Sequence, residues 1–263
     1  MKYIDLHSHS FKSLYIKLMF NDLLLATGTA FLAGDGERFL LFTNKHNVTG
    51  KNIITGDLLS SNGAIPNRLV VRVQDTSPDG GEGFVSRGYI EHIIPLYEDE
   101  ESFLDPKWIE HDDDQVDVVG LIYNPADIDV KRLTHSCQES WYQCDVGSKV
   151  NIIGYPLGIT TDGFPIWMSG YIASEPAINV DEKPLFYVDS RTRRGQSGSP
   201  VFYRIRVGDM ISREGQLLAA NTEQIILLGI YSGRVSEESD IGRVWKTQAL
   251  RTILDKAVFE YET

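Results

Sequence analysis

A serine hydroxyl becomes a nucleophile near neutral pH only when a neighbouring base takes its proton, and that base needs a third group to orient it. This chain offers one residue for each role. Gly195-Gln196-Ser197-Gly198-Ser199-Pro200 frames Ser197 with glycines. A tight turn there can aim backbone amides at one point, with glycine supplying the dihedrals that other residues resist. Alone, the stretch reads equally well as an anion nest or a tight hairpin. Phe39-Leu40-Leu41-Phe42-Thr43-Asn44-Lys45-His46 is an apolar strand-like run ending in His46, and an imidazole with an unperturbed pKa near ~6.5 suits the base role. Val116-Asp117-Val118-Val119-Gly120-Leu121-Ile122-Tyr123 puts Asp117 at the mouth of a second apolar run. Asp112, Asp113 and Asp114 compete for the orienting role, Asp114 first among them. Asp117 is preferred because it alone directly precedes the apolar strand, where a carboxylate can be shielded and aimed.

Together, Thr43-Asn44-Lys45-His46, Val116-Asp117-Val118-Val119 and Gly195 to Pro200 resemble, in order, the histidine, aspartate and serine motifs of the trypsin-like (chymotrypsin-fold) serine peptidases. The resemblance is closer to the bacterial branch that includes glutamyl endopeptidases and the HtrA protease domain than to digestive trypsins. Gly154-Tyr155-Pro156 and Leu228-Gly229-Ile230-Tyr231-Ser232-Gly233 match in type and order, so it covers nearly the whole chain. It implies a serine endopeptidase acting on a protein or peptide substrate, with no metal and no organic cofactor. Ser197 would attack the carbonyl, His46 would serve as base and then acid, and Asp117 would orient His46. The amides of Gly195 and Ser197 would form the oxyanion hole.

The resemblance also places a pocket for the side chain N-terminal to the scissile bond. Its walls would be Ser190-Arg191-Thr192-Arg193-Arg194 and Tyr231-Ser232-Gly233-Arg234, which makes Arg191, Thr192, Tyr231, Ser232, Gly233 and Arg234 substrate-binding candidates. Arg191 falls at the pocket floor, where a guanidinium would repel Lys or Arg and hold a carboxylate. Preference for Asp or Glu is one expectation. The other is that these arginines point outward and pair with the acidic surface, Glu98 to Glu101 above all. Secreted relatives carry an aspartate immediately before the serine, which pairs with a newly cut N-terminus. Gln196 stands there in this chain, so the turn is expected to form without N-terminal processing.

The elements that must position these residues are mostly strands. Runs rich in Val, Ile, Leu, Tyr and Phe span Leu23 to Leu32, Phe39 to Thr43, Leu69 to Val73, Val116 to Tyr123, Lys149 to Ile153, Ile166 to Ala173, Leu185 to Val188, Val201 to Val207 and Gln224 to Tyr231. Gly, Pro, Asn or Asp clusters separate them, and no βαβ rhythm or internal repeat occurs, so the class is all-β. The resemblance implies two six-stranded antiparallel β-barrels in a single peptidase domain. The first barrel, roughly residues 15–130, would carry His46 and Asp117; the second, roughly 140–245, would carry Ser197. Apolar residues Trp245, Ala249, Ile253 and Ala257 recur every four, which predicts a terminal helix from Trp245 to Val258 packed on the second barrel.

The 263 residues carry 25 Lys and Arg against 37 Asp and Glu, a net charge of -12. That balance excludes nucleic acid and anionic membranes as electrostatic partners. Acidic clusters at Glu98-Asp99-Glu100-Glu101 and Asp112-Asp113-Asp114 read as a solvated insertion rather than a calcium loop. The start of the chain lacks a signal-peptide pattern, and only Cys137 and Cys144 occur, outside the motifs. A cytoplasmic protein with free thiols is therefore expected. Asp5-Leu6-His7-Ser8-His9-Ser10 supports a minor alternative, a metal-dependent phosphoesterase of PHP type, because imidazoles at i and i+2 share a strand face. A further alternative is a catalytically silent interaction module, a pseudoprotease. A regulated stress, signalling or defence protease with a regulatory protein partner is the remaining variant of the enzyme reading.

Overall fold

Side-chain alternation with period two builds the sheet that leads to His46. The computed structural model describes residues 6–78, 84–138, 144–213, 216–236 and 238–258; Asp5 and Trp141 lie outside the described residues. Strand β1 (Ser13–Phe20) turns into β2 (Leu23–Gly34) through Asn21, whose φ of 51° supplies the left-handed turn residue a tight hairpin needs. Then come β3 (Phe39–Thr43), α1 (Lys45–Thr49), β4 (Arg68–Pro78), β5 (Phe84–Pro95), a small ribbon of β6 (Tyr97–Asp99) and β7 (Leu104–Pro106), then β8 (Trp108–Glu110), β9 (Val119–Leu121), α2 (Val130–Leu133) and β10 (His135–Ser136). The order β5-β4-β1-β2-β3-β9-β8, with β10 beside β2, makes an eight-stranded sheet. Leu14, Ile16 and Leu18 alternate on β1 and bury with Leu69, Val71 and Val73 of β4.

The second half is a closed six-stranded barrel in the order β11 (Lys149–Gly154), β12 (Ile166–Ile172), β13 (Leu185–Asp189), β18 (Ile241–Lys246), β17 (Gln224–Arg234) and β14 (Pro200–Ile205). A hairpin of β15 (Met210–Arg213) and β16 (Gln216–Ala219) stands outside it. Val150, Ile152, Phe186, Val188, Val201, Tyr231 and Val244 fill the interior. Helix α3 (Thr247–Lys256) covers the seam between the halves. Its Ala249, Leu250, Ile253 and Leu254 bury in one cluster with Phe31, Leu40 and Phe42 of the first half and with Ile153, Phe202 and Ile230 of the barrel.

The molecule is mostly β with few helices, and four expectations need correction. The two-barrel expectation holds only for the second half: among the described residues the first sheet runs from β5 to β8 without those ends pairing. The terminal helix begins at Thr247 because Trp245 is still in β18, paired with Leu185 and Ile230. The run Val116 to Tyr123 contracts to Val119–Leu121, leaving Asp117 on the irregular approach. His46 does not end a strand; it sits on the one-turn helix α1, which Gly50 stops in the left-handed conformation at φ 63°.

The phosphoesterase-like motif also takes a different role. His7 Nδ1 accepts from the His9 amide at 3.2 Å, and Trp167 of the barrel donates through Nε1 to Ser10 Oγ at 2.9 Å. The His9 ring packs 5.3 Å from His135 and 5.3 Å from Phe202. No group of three or more His, Cys, Asp or Glu residues able to hold a metal ion occurs among the described residues. The segment is a strap from the first sheet to the barrel. Burial, then Lys12 and His7, pulls His9 down to about 4 against a weak opposing pull from Glu223, while Arg204 adds to the lowering. Burial, Lys12 and His9 hold His135 well below its ordinary value. Both imidazoles are neutral when folded and bind protons at ordinary histidine values, about 6.5, when unfolded. Their contribution is complete above about pH 6.5 and is lost as pH falls toward His9's folded value of about 4. Thermal melts across that window should show a smaller acid loss for the His9→Asn/His135→Phe variant than for wild type.

Candidate active site

His46 is placed by the turn that leaves β3. Asn44 is extended before α1, and its Nδ2 donates to the Asp117 carbonyl at 2.7 Å, which ties the helix entry to the 116–118 segment. His46 then engages one carboxylate twice: its amide donates to Asp117 Oδ1 at 2.9 Å, and its Nδ1 lies 2.6 Å from Oδ2. Ser232 Oγ donates to the same Oδ2 at 2.6 Å. With Nδ1–H turned to the carboxylate, Nε2 is left as the basic nitrogen. Asp117 is only 6% exposed, so these bonds replace water around a buried charge.

None of the rival aspartates is hydrogen-bonded to His46 among the described residues. Asp112 pairs with Lys256 at 2.9 Å, Asp113 Oδ1 accepts from the Gln115 amide at 2.9 Å, and the Asp114 carbonyl accepts from Lys45 Nζ at 3.3 Å. Ser232, expected in the pocket wall, instead spends its hydroxyl on Asp117. A serine just past an apolar strand carries no sequence mark that separates those two roles.

The serine turn precedes β14 and is fastened from three sides. Thr29 donates its amide to the Ser197 carbonyl at 2.9 Å, and Asn47 Nδ2, next to His46 in sequence, reaches the same carbonyl at 3.4 Å. The Gly198 amide donates to the Tyr231 carbonyl at 2.9 Å, next to Ser232. The serine's own carbonyl is thus tied to the residue after His46, and Gly198 to the residue before Ser232, which bonds to Asp117. No hydrogen bond joins the Ser197 hydroxyl to His46 among the described residues. A Cβ at Gly198 would sit 1.9 Å from the Thr29 carbonyl oxygen, at a φ of 87°. Gly198→Ala should therefore cost at least about 2 kcal/mol, read as a fall in denaturant midpoint.

The turn also presents amides. Arg194's carbonyl accepts from the Leu157 amide at 2.6 Å. In a planar trans peptide, that sends the Gly195 N–H to the opposite side, away from Leu157. Leu157 adopts φ 55° to make this bond, a left-handed conformation costing about 1–2 kcal/mol. A Cβ at Gly195 would lie 2.3 Å from the Tyr155 carbonyl oxygen, so no larger residue fits. Among the described residues neither the Gly195 nor the Ser197 amide donates to a protein acceptor. Gln196 is fully buried and turns back on its own loop, its Oε1 accepting from the Arg193 amide at 2.9 Å.

The other expected pocket residues separate into three groups. Arg191 does not reach a pocket floor: its side chain is 83% exposed, with Nε 3.6 Å from Asp240 Oδ2. A guanidinium stays out in water when no buried carboxylate pays for its desolvation. Its partner is not the Glu98 to Glu101 stretch either, since Glu98 pairs with Lys107 and Glu100 with Arg68. Thr192 and Tyr231 are both buried and share a hydroxyl–hydroxyl hydrogen bond. Burial pushes the Tyr231 phenol up to about 12 against weaker pulls from Thr192, Arg234 and Arg243, so it is neutral. Gly233 and Arg234 continue the strand half-buried, and the Arg234 carbonyl accepts from Arg243 Nη1 at 2.9 Å.

No family model matches the chain, and no curated protein matches it. Among solved structures, the serine endoprotease from Yersinia pestis superposes with a TM-score of 0.52 at 12% identity, covering 97% of this chain and 67% of that one. The Rv3671c protease from M. tuberculosis in its active form gives 0.49 at 14% identity, covering 97% and 85%. The structural neighbours are serine proteases, and the mostly β chain with its closed six-stranded barrel has a protease-like fold consistent with the trypsin-like class.

Proposed function

We propose that the chain is a serine endopeptidase that hydrolyses peptide bonds through an acyl-enzyme on Ser197. His46 Nε2 takes the hydroxyl proton, Ser197 Oγ attacks the carbonyl, and the proton passes to the leaving amine. Water then repeats the sequence to release the acid. Asp117 holds the imidazole and stabilises its charged form, and the Gly195 and Ser197 amides receive the developing oxyanion. The observation that carries this reading is the double engagement of Asp117 by His46 through its amide and Nδ1. A structural ion pair has no need of both, whereas a base that must keep one tautomer does. Ser232 donates to Oδ2, the oxygen that His46 Nδ1 also engages. Ser232→Ala should lower kcat about tenfold with little change in KM, because the lost bond only steadies the carboxylate.

The free Cys137 and Cys144 support a reducing, cytoplasmic setting. A substrate protein and a regulatory protein partner belong to the same proposal. The missing Ser197–His46 hydrogen bond favours a second reading, a silent interaction module. Treating the full-length protein with a fluorophosphonate and mapping the adduct by mass spectrometry decides between them. Modification at Ser197 in a chain still beginning at Met1 supports the enzyme, formed without processing because Gln196 closes its own turn. Modification that appears only after cleavage near residues 10–30 overturns the unprocessed form, and none in folded protein overturns the enzyme.

A further inference from the structure

Tyr231 and Thr192, one from each stretch expected to wall the pocket, meet each other and are buried, with the Tyr231 ring inside the barrel. Tyr231 is 1% exposed, and its ring lies where a side chain at position 242 would be: a Cβ on Gly242 would sit 2.5 Å from Tyr231 Cε2. Its hydroxyl bonds to Thr192, on the opposite wall and 1% exposed. Its backbone is equally fixed, with the carbonyl accepting from the Gly198 amide at 2.9 Å and the amide donating to the Ser199 carbonyl at 2.8 Å. The phenol therefore spans from the strand beside the nucleophile turn to the loop that precedes it. Gly242 provides the room, and Thr192 satisfies the one polar atom the ring buries.

We propose that Tyr231 is a built-in stopper of this pocket and restricts the residue on the acyl side of the scissile bond to glycine, alanine or serine. This rests on the endopeptidase reading above, and replaces the acidic preference that Arg191 had suggested. A larger side chain would have to displace the ring, breaking the Thr192 bond and the contact with Gly242. A small one would leave the ring in place.

The test compares wild type with Tyr231→Phe, Tyr231→Val and Tyr231→Ala on a peptide library scored by cleavage position. Wild type and Tyr231→Phe should cut after Gly, Ala or Ser. Tyr231→Val and Tyr231→Ala should gain at least about tenfold in kcat/KM for Leu or Phe relative to Ala, the scale on which apolar pockets discriminate. Wild-type cleavage after large or charged residues within tenfold of Ala overturns the proposal, as does an unchanged preference in both small variants. A second measurement needs no turnover: in a Ser197→Ala background, p-cresol should raise the melting temperature of Tyr231→Gly and leave Tyr231 protein unchanged. No rise overturns the stopper even if the fluorophosphonate labels Ser197. A rise without labelling shows the space that Tyr231 fills but sinks the endopeptidase reading on which the stopper rests.

Discussion

Ser197→Ala and His46→Ala should each lower kcat about a million-fold, roughly 8 kcal/mol of lost transition-state stabilisation. The double variant should be no worse than either single one, because nucleophile and base act as a unit. What survives should exceed the uncatalysed rate by about a thousand-fold, supplied by substrate binding and the Gly195 and Ser197 amides. Both side chains are partly accessible and neither sits in an apolar cluster, so melting temperature should hardly move. Stopped assays on a peptide with alanine before the scissile bond give the rates, and calorimetry checks the fold. Retention of even a hundredth of wild-type kcat in Ser197→Ala would move the nucleophile elsewhere.

Asp117→Asn should cost about ten-thousand-fold, near 5 kcal/mol. The carboxylate accepts three bonds, from the His46 amide, His46 Nδ1 and Ser232 Oγ. An amide cannot satisfy all three. If its oxygen keeps the His46 N–H, its NH2 faces Nδ1, and the imidazole must then carry its proton on Nε2, where it cannot act as base. If it flips, two donors meet at the His46 amide. Nitrogen chemical shifts of the His46 ring should report the exchanged tautomer alongside the lost rate. Asp114→Asn, whose contact to Lys45 runs through its backbone carbonyl, should stay near wild type. The reverse pattern would reassign the orienting acid.

Local geometry was legible where residue type alone constrains it. Ser197 between glycines demanded an unusual turn, and Gly195 and Gly198 do take φ values of 91° and 87°. The apolar run Phe39 to Thr43 is β3 to the residue. Strand β1 hid a readable signal, since Leu14, Ile16 and Leu18 alternate cleanly and bury. Strand β18 hid a conflicting one: Trp245 and Ala249 fit a helical period, yet Trp245 is drawn into the barrel by its pairing with Ile230. Long-range geometry was not legible. Nothing local tells that Ser232 meets a carboxylate 115 positions away, or that Tyr231 needs Gly242. Arg191 failed for the same reason, since one residue of loop register separates a pocket floor from open water.

The position of β18 in the chain sets a timetable. Synthesis delivers His46 first, then Asp117, then Ser197, and only afterwards Ile241–Lys246, the strand that joins β13 to β17 and closes the barrel. Tyr231, whose carbonyl pins Gly198, lies on β17, one of the two strands that β18 joins. A nascent chain that already holds all three reacting residues therefore has no closed barrel to aim them. If the endopeptidase proposal holds, its activity would be withheld until β18 emerges and the barrel closes.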